Sequence, residues 1–151
     1  MTLFKKPSLD EIRKKLDDLQ FAVTQEEATE PPFKNKYWDN HATGLYVDVV
    51  TGEPLFTSMD KFDSGTGWPC FTQPITKKNL IFKDDQKMWA ARTEVRSQLA
   101  DSHLGHVFND GPAETGGQRY CINSAAIRFI PIEDLKKDST YSEWFKIFEG
   151  V

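Results

Sequence analysis

Cysteine, long apolar runs and an excess of positive charge are all scarce in this chain of 151 residues. Its longest apolar stretch, Ile127 to Ile132, is broken by Arg128 and Pro131, far short of the roughly 18 to 20 residues that a membrane helix needs, so no membrane partner is expected. With 19 basic residues against 23 acidic ones the formal charge is -4, too little positive potential to hold a phosphate backbone, which excludes nucleic acid as a partner. Met1 to Lys6 leads into Pro7-Ser8-Leu9-Asp10-Glu11 instead of an apolar signal core, so a cytoplasmic chain without a secretory leader is expected. Only Cys70 and Cys121 carry thiols, and a reducing compartment keeps them reduced unless a redox cycle joins them. Internal repeats and low-complexity tracts are also missing.

Apolar residues make up 38% of the chain and aromatics 13%, enough for one core and an aromatic-lined pocket. Ser8-Leu9-Asp10-Glu11 has the form of a capping box, and Leu9, Ile12, Leu16 and Leu19 follow at helical spacing, predicting one helix from about 9 to 20. Residues 24–38, polar and broken by Pro31-Pro32, read as a surface strap anchored by Phe33, Tyr37 and Trp38. Alternation at Leu45, Val47 and Val49, a break at Thr51-Gly52-Glu53, and Pro54-Leu55-Phe56 predict a hairpin. Asp63 to Pro69 is too rich in small residues and proline for regular structure and forms a loop presenting Trp68. Further strands are expected over Met88 to Val95, Gly105 to Phe108 and Gln118 to Ile130, with a packing helix over Tyr141 to Phe148. Strands that follow strands favour a mainly β fold: antiparallel sheets in one compact domain, with a few short helices at the two ends.

Few side chains here can do chemistry. In an extended Arg119-Tyr120-Cys121-Ile122-Asn123, the odd-numbered residues share a face, setting a thiol beside a guanidinium and an amide that favour its thiolate. His103 and His106 offer proton donors near neutral pH. Two Cys and two His also raise a zinc-site alternative, which the wide separation of Cys70 and Cys121 disfavours. A non-catalytic module that binds a methyl-bearing ligand on Trp68 is a further alternative.

Four segments in order, Gly65-Thr66-Gly67-Trp68-Pro69-Cys70-Phe71, Arg92 to Ser97, His103 to Pro112 and Arg119 to Ser124, resemble the B-type methionine sulfoxide reductases, over about Gln20 to Pro131. The resemblance implies a single methionine-R-sulfoxide reductase domain over 1–151: the helix at 9–20, the strap at 24–38, a catalytic β core at about 44–131 and a tail at 132–151. It implies Cys121 as nucleophile, with His103, His106 and Asn123 holding the sulfoxide oxygen and Trp68 and Arg119 binding substrate. No bound cofactor or metal is implied, since the paired Cys-x-x-Cys zinc ligands of many relatives are missing. Oxidised methionine in proteins or peptides is the implied substrate of a monomer. Many relatives place a resolving Cys where Thr66 stands here and a Ser where Cys70 stands. That leaves Cys70 as the possible intramolecular resolver, four residues away. A Cys between Pro69 and Phe71 reads as a small buried apolar residue, so direct reduction by thioredoxin or another thiol is the expected route.

Overall fold

The computed structural model describes residues 4–85 and 92–149, and within them every strand pairing is antiparallel. The capping box at Ser8 forms, but the helix it starts, α1 (Leu9–Lys15), stops at Leu16, whose backbone is extended. A second capping box, Asp17 with Gln20, restarts the chain as α2 (Asp18–Glu26). The single helix expected over 9–20 is therefore two, because Asp17 competes better as an N-cap than as a helix interior residue. The expected stripe breaks with it. Ile12 and Leu16 are buried, whereas Leu9 and Leu19 are exposed.

Strands β1 (Gly44–Asp48) and β2 (Pro54–Thr57) form the expected hairpin. All five β1 residues are buried because β1 is the central strand, paired on its other edge with β9 (Ile127–Pro131). The second sheet runs β3 (Lys61–Phe62), β4 (Cys70–Phe71), β8 (Arg119–Ile122), β7 (His103–Phe108), β6 (Arg92–Ser97) and β5 (Leu80–Asp85). The strand expected over Gln118 to Ile130 is thus split between two sheets by a 3-10 turn at Ser124–Ala126. Of the strand expected over Met88 to Val95, residues 88–91 lie outside the described part. β5 was not foreseen, since its charges at Lys83, Asp84 and Asp85 mask its period. The tail holds α3 (Ile132–Leu135) and the expected packing helix, a 3-10 helix at Ser142–Phe148.

Between the two sheets lies an aromatic core in which Phe56 and Phe71 stack at 4.5 Å, with Tyr46 and Tyr120 edge-on or tilted around them. Leu104, Ile122 and Val95 complete the face that the six-stranded sheet turns inward. The outer face of the smaller sheet is covered by Leu135, Tyr141 and Phe148. Among the described residues no helix is long and apolar enough to cross a membrane.

Candidate active site

Since Val95, Leu104, Tyr120 and Ile122 face the core, the other face of the large sheet carries the polar residues. Directly paired residues point the same way, so the pairings of Glu94 with His106, His106 with Cys121 and Cys121 with Cys70 make one continuous row across four strands. A bulge opposite Val95 and Arg96 adds the register step at Leu104. Without it, residues three apart on β7 would face opposite sides; with it, His103 joins His106 on the site face, ring centroids 5.6 Å apart. Leu104 turns into the core, and its carbonyl accepts hydrogen bonds from the Asn123 backbone (2.8 Å) and side chain (3.1 Å). At Gly105 any Cβ would collide with the Cys121 carbonyl, so glycine is required where β7 passes β8.

The two thiols are both free and lie directly opposite each other. Cys70 is fully buried, yet its surroundings are not those of an apolar filler. Ser64 Oγ donates to its Sγ at 3.1 Å, Thr66 Oγ1 lies at 3.6 Å and Arg119 Nη1 at 4.0 Å. A hydrogen bond from Cys121 and these donors outweigh burial and pull the Cys70 thiol down to about 6, while the same bond and burial push Cys121 well above an ordinary thiol. The two sulfurs are thus joined by one hydrogen bond, with the surrounding donors gathered on the Cys70 side. Thr66 and Cys70, four residues apart, meet across a loop that bends at Gly67, at positive φ, and Gly65, also at positive φ, brings Ser64 to the same sulfur.

Beside Cys121 opens a cavity of about 110 Å³ whose walls include Trp68, His106, Phe108, Arg92 and Asn123. The indole Nε1 of Trp68 donates to the Glu30 carbonyl at 2.9 Å, and the Gly67 carbonyl accepts from the Phe33 amide and the Asn35 side chain. The strap thus holds the Trp68 loop. Its anchors are Tyr37 and Glu30, whereas Phe33, expected to anchor it, is half exposed. The Glu30 carboxylate accepts the Ser124 and Ala125 amides, and burial pushes it up to about 7. A larger groove of about 470 Å³ lies elsewhere, over Gln20, Lys36 and Arg128, but neither thiol nor imidazole reaches it.

The histidines stand among carboxylates. His103, nearly fully buried, has Nδ1 at 2.6 Å from Glu94 Oε2, and His106 Nε2 is 2.8 Å from Asp85 Oδ2. Burial lowers His103, against the pull of Glu94; burial would raise Glu94, but His103 and Arg96 hold it below the usual carboxylate range. Of the residues singled out from sequence, Cys121, His106, Asn123 and Trp68 line the cavity. His103 stands behind His106. Arg119 is held away, over the Phe108 ring at 4.4 Å and clamped twice by Asp110, with one nitrogen toward Cys70. Arg92 and Glu94 lie in a segment that carries the resemblance, but no role was read for them, nor for Asp85 and Ser64, since those roles depend on strand register and on the path of the Ser64 loop. Among the described residues the one cluster of metal-type ligands is Glu27, Glu94 and His103, which contains neither thiol and is already bridged by Arg96.

Two opposed thiols, a cavity walled by Trp68 and Phe108, and carboxylate-held imidazoles thus share one face of an antiparallel sheet. Residues 16–131 match the SelR domain, and the chain belongs to that family, the B-type methionine sulfoxide reductases. It is 57% identical over 144 residues to the peptide methionine sulfoxide reductase MsrA/MsrB of Vibrio cholerae serotype O1, covering 95% of this chain and 38% of the relative, little more than a third of its length.

Proposed function

We propose that this chain reduces methionine-R-sulfoxide to methionine with Cys121 as nucleophile. The observation that carries the reading is Cys121, backed by buried Cys70, opening onto a cavity lined by Trp68 and His106. A sulfoxide sulfur becomes electrophilic once its oxygen is hydrogen-bonded or protonated, and an apolar wall for the methyl with a donor for the oxygen admits one epimer. His106 is the donor to that oxygen, with His103 and Asn123 supporting it, and Trp68 takes the methyl. The Cys121 sulfur takes the oxygen; methionine leaves and Cys121 becomes a sulfenic acid.

The surroundings of Cys70 favour an intramolecular second step over the direct external reduction expected from sequence. Paired residues of an antiparallel ladder have Cα atoms about 4.5 to 5.5 Å apart, within disulfide range. The Cys70 thiolate attacks the Cys121 sulfenic sulfur, a proton is taken up, water leaves and a Cys70–Cys121 disulfide forms. An external dithiol, thioredoxin being the class that fits, returns both thiols with no bound prosthetic group. One chain assembles the whole site, so we assign a monomer, working in a reducing compartment such as the cytoplasm on oxidised methionine in proteins or peptides.

The test offers each sulfoxide epimer of an N-blocked methionine with dithiothreitol and measures methionine. The R epimer is expected to be consumed and the S epimer spared; product from neither would end the reading. A binding module would show affinity without turnover.

A further inference from the structure

Arg92 is the least satisfied guanidinium on the site face. Two residues before Glu94 on β6, it shares that residue's side of the sheet. Arg119 is clamped by both oxygens of Asp110, and Arg96 is held by Glu94 and Asp101. Arg92 is fastened by Nη2 alone, 3.4 Å from an Asp85 oxygen that also faces His106. Its Nε is buried and meets no hydrogen-bond partner among the described residues. About a third of the side chain remains exposed, and the residue lines the cavity that holds Cys121 and Trp68. With one long hydrogen bond to its head and that head open at the cavity, the guanidinium keeps donors free for an incoming acceptor.

A cavity of about 110 Å³ holds the methyl sulfoxide end of a side chain and little more. With the sulfur against Cys121 and the methyl on Trp68, the substrate's main chain, two methylenes from the sulfur, stays at the mouth. We propose that Arg92 receives a main-chain oxygen of the substrate there, the carbonyl of a methionine sulfoxide residue or the carboxylate of the free amino acid, and so selects methionine sulfoxide over other methyl sulfoxides. This rests on the reductase reading above.

The test compares the parent, Arg92→Gln and Arg92→Lys on three sulfoxides: N-acetylmethionine sulfoxide amide, free methionine sulfoxide, and dimethyl sulfoxide, which has no main chain. For Arg92→Gln, kcat/KM on the blocked amino acid is expected to fall about ten- to a hundredfold, the range for a lost charge-assisted hydrogen bond, with dimethyl sulfoxide unchanged within twofold and Arg92→Lys in between. A fall on free methionine sulfoxide alone would assign the contact to the carboxylate, and a fall on both to either oxygen. Equal loss on dimethyl sulfoxide would overturn the proposal, making Arg92 part of the sulfoxide chemistry or the scaffold. No loss on any substrate would overturn it too. A parent inactive on all three would instead refute the reductase reading beneath it.

Discussion

The two sides of Cys121 are opposite in kind. Toward β4, a single sulfur is surrounded by donors: Ser64, Thr66 and Arg119. Toward β6, two imidazoles are surrounded by acceptors: Glu94 and Asp85. Donors around a thiol stabilise its anion, and carboxylates beside an imidazole fix its orientation by hydrogen bonds. One sheet face therefore sets a donor-rich sulfur and a carboxylate-held imidazole pair on either side of the reacting sulfur, one strand spacing away at each step. The same division explains why Arg119, expected to touch substrate, is turned toward Cys70: it belongs to the anion's side.

Breaking the centre of this arrangement has the largest effect. Cys121→Ser should fold normally and lose at least about 10⁴-fold in turnover, because a hydroxyl is a far weaker nucleophile; residual activity within tenfold of the parent would remove Cys121 from that role. Next comes the donor side. Cys70→Ser should release the first methionine at the parent rate yet lose roughly tenfold or more in dithiol-supported cycling. The thiolate absorbance that titrates near about 6 in the parent should vanish with it. Peptide mass after stoichiometric oxidation decides the point: a free Cys70 in most parent molecules would rule out the intramolecular route. On the acceptor side, His106→Ala should slow the single-turnover sulfoxide step by about 10², and a normal rate would put the proton donor elsewhere.

The smallest effect sharpens the contrast between paired and unpaired carboxylates. Glu53 is as buried as Glu94 but has no cation beside it among the described residues, and burial together with Asp48 raises it from 4.5 to about 7. A carboxyl raised on folding stabilises fully below its unfolded value, and that contribution disappears as pH rises through its folded one. Melting curves from pH 5 to 8 should therefore show Glu53→Gln gaining on the parent by on the order of 1 to 3 kcal/mol as pH rises. A constant gap between the two would show that Glu53 does not titrate in this window.

The fold class was legible from the run of strand after strand, and Cys121, His106, Asn123 and Trp68 from the motifs that carry the family resemblance. Cys70 is buried, as its place between Pro69 and Phe71 implies, but its polar surroundings had no signal there, because they depend on a loop in which Gly67, at positive φ, brings the Thr66 hydroxyl to 3.6 Å from the Cys70 sulfur. Glu94 and Asp85 were invisible because a carboxylate's partner is set by cross-strand register, which depends on contacts far apart in sequence. The helix over 9–20 failed for a local reason that was readable: Asp17-x-x-Gln20 is itself a capping box.

The bulge in β7 gives Leu104 a meaning beyond its apolar side chain. Deleting that one residue would leave His103, Gly105 and His106 pairing one-to-one with Arg96, Val95 and Glu94, a more regular ladder with both imidazoles still on the same face. What would vanish is the main-chain oxygen on which Asn123 rests by two hydrogen bonds, where β7 runs on past β8. A single lost codon would then improve the sheet and unseat the residue two places after Cys121, so this irregularity is an insertion that the site cannot give back.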